Sequence, residues 1–299
     1  ATAPAQDYPN KPVRIVTSAA GGGNDFTARL IAQGISGSLG QPVIVDNRAT
    51  LLAVEAVSKA PPDGYTLHVA GSSLWVSPLL QKLPYDVARD FSPISLIAWE
   101  VRVLVVHPSV PAKSIKELIA LAKAKPGALN YASATVGSPA HLGAELFKSM
   151  AGVDIVSVQY KGNAAMITAV VTGEVQLSIS DLGSVGPHMK SGRLRALAVT
   201  SVQPSVLVAG LPTVASSGLP GYEAVGVTGI WAPAKTPGAI INRLNQEIVR
   251  VLSLPDVKER FLGSGQETVG SSPEQFAATV RADIARIGKV IKDAGIKVD

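Results

Sequence analysis

Short apolar runs alternate with stretches of helical spacing almost from one end of the chain to the other. Val13–Thr17 reads as a strand, followed by glycines and then by residues 26–35 with apolar side chains at helical intervals. Further strand-like runs follow at 43–46, 66–70, 104–106, 130–133, 155–160 and 194–200, with helical patterns between several of them. Such alternation predicts an α/β protein with parallel-rich sheets and helices on both faces. Helix boundaries agree. Ser114 with Glu117 makes a capping box ahead of residues 115–124, and Pro126-Gly127 ends that helix. Pro237 opens a helix running to about 252, and Ser272-Pro273 opens the last one, 274–294.

Extended segments at 98–103 and 222–231 follow Pro- and Gly-rich stretches, and there the chain is expected to pass between domains. Residues 1–100 together with 227–299 are then expected to form one lobe and 101–226 the other. Two crossings between two α/β lobes predict a hinge and a cleft, the usual place for a small ligand.

Composition narrows the chemistry. Of 299 residues, 46% are hydrophobic but only 5% aromatic, so the core is built from Ala, Val, Leu and Ile, and the chain is not disordered. The net charge of +5 is modest and its basic residues are scattered, which argues against a nucleic-acid binder. There is no cysteine, which excludes thiol catalysis, Cys-ligated zinc and disulfides and is compatible with a periplasmic location. The longest uncharged segment, 196–222, is broken by Pro204, Pro212 and Pro220 and does not read as a membrane span. The opening Ala1-Thr2-Ala3-Pro4-Ala5-Gln6 reads either as the small-residue start of a mature exported protein or as a frayed terminus.

Two loops stand out. Ser18-Ala19-Ala20-Gly21-Gly22-Gly23-Asn24-Asp25 lies between a strand and a helix, and its three glycines let the backbone turn sharply and present N–H groups at a helix N-terminus. That arrangement suits a carboxylate or a phosphate. Asn24 or Asp25 can cap the helix, although a charged Asp25 opposes an anion unless it points away. A plain βα turn without a ligand is the alternative. The second loop, 133–141, repeats the design: Ser138 is an N-cap with Pro139 at the first helical position, and Thr135 and Ser138 add hydroxyl donors. One such loop in each lobe makes a shared grip on one anion the favoured reading.

Other chemistries lack support. No phosphate-binding G-x-x-x-x-G-K-[ST] or dinucleotide G-x-G-x-x-G motif is present, nor a G-x-S-x-G nucleophile motif. The four histidines show no metal-ligand spacing and read as structural, with His141 the one expected near the cleft. Asp181 ends the apolar run 175–180, where it either accepts from a ligand amino or hydroxyl group or caps the following turn. Trp75 is a candidate pocket wall, while Trp99 and Trp231 read as core or hinge packing.

Many blocks, in order, carry a resemblance. They include Tyr8-Pro9-Asn10-Lys11-Pro12-Val13-Arg14, Gly21-Gly22-Gly23-Asn24-Asp25, Asp46-Asn47-Arg48 and Pro62-Asp63-Gly64-Tyr65-Thr66-Leu67. Leu83-Pro84-Tyr85-Asp86, Asn130-Tyr131-Ala132-Ser133, Tyr160-Lys161-Gly162 and Leu219-Pro220-Gly221-Tyr222-Glu223 follow. Over almost its whole length the sequence resembles the periplasmic solute-binding proteins of tripartite tricarboxylate transporters, the Bug family. The resemblance implies a two-lobed, type II-like periplasmic binding fold, each lobe a mixed, mostly parallel sheet flanked by helices. It implies capture of a small mono- or dicarboxylate, amino acids and aromatic acids included, and delivery to membrane permease subunits. It further implies a monomer, exported with its signal peptide removed, and neither chemistry on the solute, a metal, a cofactor nor nucleic acid. Carried over by position, Gly22, Gly23, Asn24, Asp25, Thr135, Gly137 and Ser138 hold one ligand carboxylate through amides, hydroxyls and waters, while Ser72, Ser73 and Asp181 meet its distal end. The alternatives are an enzyme on a small anion with Asp181 or His141 as acid or base, and a ligand sensor docking on a receptor. The chain departs from the family at Ser18, where an aromatic is usual, and at Ala20, where Pro is usual, leaving Phe26 or Trp75 to roof the ligand. It also departs after Asn47-Arg48, where a glycine-rich loop is replaced by Ala49-Thr50-Leu51-Leu52 leading into a helix at 53–59.

Overall fold

The first apolar run forms strand β1 (Val13–Thr17), hydrogen-bonded in parallel to β2 (Val43–Asn47) on one side and β3 (Thr66–Gly71) on the other. The structure, a computed structural model, describes residues 8–134 and 136–296, so the small-residue start and Thr135 lie outside the described residues. The chain divides into two compact units, Ala1–Trp99 with Val227–Ala285 and Glu100–Gly226 with Arg286–Asp299.

In unit 1 the sheet order is β11-β4-β10-β3-β1-β2, where β4 is Phe91–Glu100, β10 Gly226–Pro233 and β11 Gln266–Thr268. Helix α1 (Gly23–Leu39) buries Ala28, Ile31 and Ile35 against Ile15 and Leu67 of the sheet. It also packs on α9 (Gly238–Ser253), whose Ile241, Leu244, Ile248 and Val251 recur at helical spacing and form one buried stripe. In unit 2 the order is β7-β6-β8-β5-β9, with β5 at Arg102–Val106, β6 at Asn130–Ser133, β7 at Val156–Gln159, β8 at Leu177–Asp181 and β9 at Arg195–Val199. Strand β6 runs parallel to β7 and β8, whereas β5 is antiparallel to β8 and β9. The near-continuous apolar run of β5 suits a strand with neighbours on both sides and helices on both faces. Both sheets are therefore mixed. Their antiparallel members β5 and β10 are the strands that open on the chain's passages from one unit to the other.

Capping works as the sequence indicates, with one variation. Ser114 Oγ accepts from Glu117 N at 3.2 Å ahead of α5 (Ile115–Ala124), but the Glu117 carboxylate takes the Lys113 amide, at 2.7 Å, rather than the N-cap amide. Two expectations change. The segment 227–299 was expected to stay within one lobe, yet the last helix, Pro273–Asp293, divides between the units after Ala285. In unit 1 its Asp283 accepts from Trp75 Nε1 at 2.6 Å; in unit 2 Arg286 donates to the Glu223 carbonyl and pairs with the Glu223 carboxylate at 3.6 Å. Trp75 is thus not a pocket wall. It is 1% exposed and packs with Trp231 and Phe276, because a buried indole needs an acceptor and Asp283 supplies it. Among the described residues no helix is long and apolar enough to cross a membrane.

Gly229 of β10 lies directly under the Phe276 ring, which sits 4.4 Å from the Trp231 ring centroid and leaves no room for a Cβ. Gly229→Ala is expected to destabilise unit 1 by about 1–3 kcal/mol through overpacking, read as a lower urea midpoint. An unchanged midpoint would mean that the aromatic cluster yields freely.

Candidate functional site

In unit 1 the chain leaves β1 at Thr17, whose hydroxyl donates to the Val69 carbonyl at 2.9 Å, and turns through residues 18–22 into α1. Gly21 has φ +83°, a conformation that favours glycine. Gly22 is the N-cap and offers no side chain, so the first-turn amides of Gly23, Asn24 and Asp25 have neither an intrahelical acceptor nor a side-chain cap. All three glycines are exposed. The loop is braced from behind. The buried Asp25 carboxylate accepts from Gly21 N at 2.9 Å, from Asn47 Nδ2 at 2.8 Å and from Arg29 Nε at 3.1 Å. Asn47 Nδ2 also donates to the Ser18 carbonyl at 2.8 Å, and Arg29 Nη2 donates to Asn47 Oδ1 at 3.0 Å. Burial works against ionisation of Asp25, but the Gly21 N–H, Arg29 and Asn47 outweigh it and hold the carboxyl below its ordinary range. Asp25 therefore turns its charge inward, and what this position presents at the helix end is its amide. Asn47, visible in sequence only as part of a block, proves to be the brace.

Beside this loop, within unit 1, lies a cavity of about 220 Å³. Ser18 and Asn24 line it from the loop, Thr50 and Leu51 from α2 (Thr50–Ser58), and Ser73 and Leu74 from α3 (Ser73–Leu80). The segment after Arg48 enters α2 at once, with Ala49 as N-cap, so the helix begins three residues earlier than its apolar pattern indicates. Ser72 is the N-cap of α3 but makes no side-chain capping bond. Phe26 does not line this cavity; it stacks edge-on against Phe261 at 5.6 Å. His68 of β3 lines the cavity, is 2% exposed, and places Nδ1 2.9 Å from the Val16 carbonyl. A carbonyl only accepts, so Nδ1 carries the proton and Nε2 is a lone pair, which has no partner. Burial drives the His68 pKa down to about 4, and the ring is neutral at ordinary pH. His68 is a buried structural histidine, as its sequence context indicates, but only one of its two nitrogens is satisfied.

In unit 2, Ser133 ends β6 fully buried, its hydroxyl unpartnered. Beyond Thr135 the chain turns at Gly137, φ +75°, whose amide donates to His141 Nδ1 at 3.4 Å. Ser138 caps α6 (Pro139–Ala151), accepting from His141 N at 3.3 Å. With Pro at the first position, the open donors of this turn are the Ala140 amide and the proton of the Ser138 hydroxyl. Burial lowers the His141 pKa, so the ring stays neutral and accepts from the loop it supports. Asp181, the last residue of β8, is the N-cap of α8 (Leu182–Lys190) and accepts from Ser184 N at 2.8 Å, the capping role that the sequence left open. Among the described residues no group of three or more His, Asp or Glu is placed to hold a metal ion.

The family described as "Tripartite tricarboxylate transporter family receptor" matches residues 27–296. Protein BugT of Bordetella pertussis is 35% identical, over 98% of this chain and 92% of its own. Among solved structures, R. palustris Rpa4515 with adipate is 37% identical with a TM-score of 0.78, covering 97% of this chain and 99% of that one. MatC from Rhodopseudomonas palustris with bound malate is 28% identical with a TM-score of 0.74, covering 95% and 100%.

Because its folded-state pKa is depressed, Asp25 stabilises the protein above the ordinary carboxyl range, and that contribution disappears as pH falls through the lowered value. Asp25→Asn is expected to destabilise the protein at pH 7 by about 1–3 kcal/mol, with the gap to wild type closing in acid below about pH 4. A gap that persists unchanged in acid would show that the carboxylate charge is not what braces the loop.

Proposed function

This chain belongs to the tripartite tricarboxylate transporter receptor family, and from that premise we propose that it captures a small carboxylate in the periplasm for the membrane subunits of such a transporter. The observation that carries this reading is the first turn of α1, where an uncapped glycine N-cap leaves successive amides open at an exposed helix end. Gly22, Gly23, Asn24 and Asp25 grip the carboxylate through their backbone. Thr135, Gly137 and Ser138 complete the grip from unit 2, and Ser72, Ser73 and Asp181 meet the distal part of the solute. A helix terminus contributes about 0.3–2 kcal/mol to an anion, whereas each hydrogen bond to a charged group is worth about 1.5–3 kcal/mol. The amides and hydroxyls therefore supply most of the affinity, and no lysine or arginine is required. Ligand favours whichever conformation lets both loops reach the same carboxylate, which couples capture to a shape the permease can recognise.

The solute leaves unchanged on this reading. The two side chains that an enzyme would use as acid or base are both engaged in shaping loops, His141 by accepting from Gly137 and Asp181 by capping α8.

Calorimetric titration with a panel of carboxylates, amino acids and organophosphates tests the proposal. A Cβ at Gly23 would have Gln266 Nε2 at 3.5 Å as its nearest neighbour, an ordinary contact, so Gly23→Val is expected to fold while its branched side chain screens the amides. Carboxylate affinity should fall by at least about a hundredfold in that variant, nearly 3 kcal/mol. Ser138→Ala, which removes one donor and one cap, should lose about tenfold. Binding confined to phosphorylated or cationic compounds, or carboxylate affinity intact in Gly23→Val, would sink the reading.

A further inference from the structure

We propose that Gln266, the first residue of β11, is a further ligand-binding residue, whose side-chain Nε2 donates to the carboxylate held by the α1 amides and takes the oxygen that they leave. The inference rests on the carboxylate reading above and adds to it a neutral side-chain donor from a distant part of unit 1. Gly265, with φ +78°, turns the chain out of α10 (Pro255–Gly263) and sets Gln266 at the start of the strand. There the residue is 7% exposed, and its side chain reaches the first turn of α1. The Cα–Cβ bonds of a helix tilt toward its N-terminus, so a Cβ on Gly23 would point into the mouth of α1. Gln266 Nε2 lies 3.5 Å from that point.

The two ends of this carboxamide differ. Oε1 is sealed in the protein without a partner, whereas Nε2, which also bonds to no described residue, is not sealed. A buried acceptor left unpaired is costly, and an apolar side chain of the same length would avoid the cost. Gln266 therefore breaks a local rule beside a helix end that has no side-chain cap, and such breaks are expected where a residue serves function. The amide turns its donor toward backbone amides that are themselves donors. The acidic side chain of that turn, Asp25, is engaged by Gly21, Arg29 and Asn47 instead. Donors gathered at one helix mouth without an acceptor make a seat for an anion. With one carboxylate oxygen on the α1 amides and the other on Nε2, the plane of the group is fixed as well as its position. Turned over, the same carboxamide would place Oε1 on the α1 amides and serve as the cap that Gly22 cannot supply, closing the site instead of completing it. The two orientations predict effects of opposite sign.

Calorimetric titration of the full chain with hexanoate and adipate, in wild type and in Gln266→Met, tests this. Methionine matches glutamine in length and fills irregular space without its polar ends. Affinity for whichever acid binds the wild type is expected to fall by about ten- to a hundredfold, the worth of one hydrogen bond to a charged group. The urea midpoint should stay level or rise, because the variant removes an unpaired buried acceptor. NMR of the wild type gives a readout that needs no variant: the side-chain amide protons of Gln266 should move downfield on saturation with the same acid. Unchanged affinity in Gln266→Met, a gain in affinity, a loss that comes with a lower urea midpoint, or unmoved amide protons would overturn the assignment. A gain would make Gln266 a competing cap, and a joint loss would make it a packing residue. In those cases the carboxylate reading stands provided that Gly23→Val still loses the acid. If neither acid binds the wild type, that reading fails and the role of Gln266 falls with it.

Discussion

At the start of α1, the amides of Gly23, Asn24 and Asp25 point out of a helix whose N-cap has no side chain to receive them. Most helices close this end with a Ser, Thr, Asp or Asn at the cap. Here the one carboxylate in the first turn is pulled inward by Gly21, Arg29 and Asn47, which fixes the glycine turn at the same time. The carboxylate thus braces the loop and leaves the open amides of the helix uncapped. The brace reaches across to the end of β2, so the loop's shape depends on the parallel pairing of β1 with β2.

The loop of unit 2 meets the same constraint with other residues. Ser138 does cap α6, yet a hydroxyl that accepts from the His141 amide still has its own proton to give. Pro139 removes one amide from the set, and His141 holds the Gly137 peptide in place while remaining neutral. In both loops the titratable side chain accepts from a loop amide, Asp25 from Gly21 and His141 from Gly137. On the proposed reading, a carboxylate grip made by the backbone is indifferent to the rest of the solute, and selectivity falls to whatever surrounds the loops. In unit 1 that surrounding includes a cavity lined by no Lys, Arg, Asp or Glu.

Local features of the amino-acid order were enough to establish a great deal. Apolar periodicity, the glycine run after Thr17, the Ser138-Pro139 start and the Ser114 capping box all express interactions within a few residues, and each reappears in the structure where the chain's pattern puts it. The family resemblance, carried by ordered blocks along the chain, was legible for the same reason, and the match to residues 27–296 agrees with it.

What tertiary structure alone decided concerns partners distant in sequence. Trp75 and Asp283 are separated by 208 positions, and no local pattern tells a pocket-wall tryptophan from one whose indole is claimed by a remote carboxylate. The inward turn of Asp25 depends on Asn47, 22 positions away, and the tautomer of His68 on a carbonyl 52 positions away. The antiparallel placement of β5 and β10, and the sharing of the last helix between the units, likewise follow from which surfaces are buried together. Periodicity and caps are short-range and written in the chain; the direction of a polar side chain is set by the acceptor or donor that folding brings to it, and that is known only when the strands have found their neighbours.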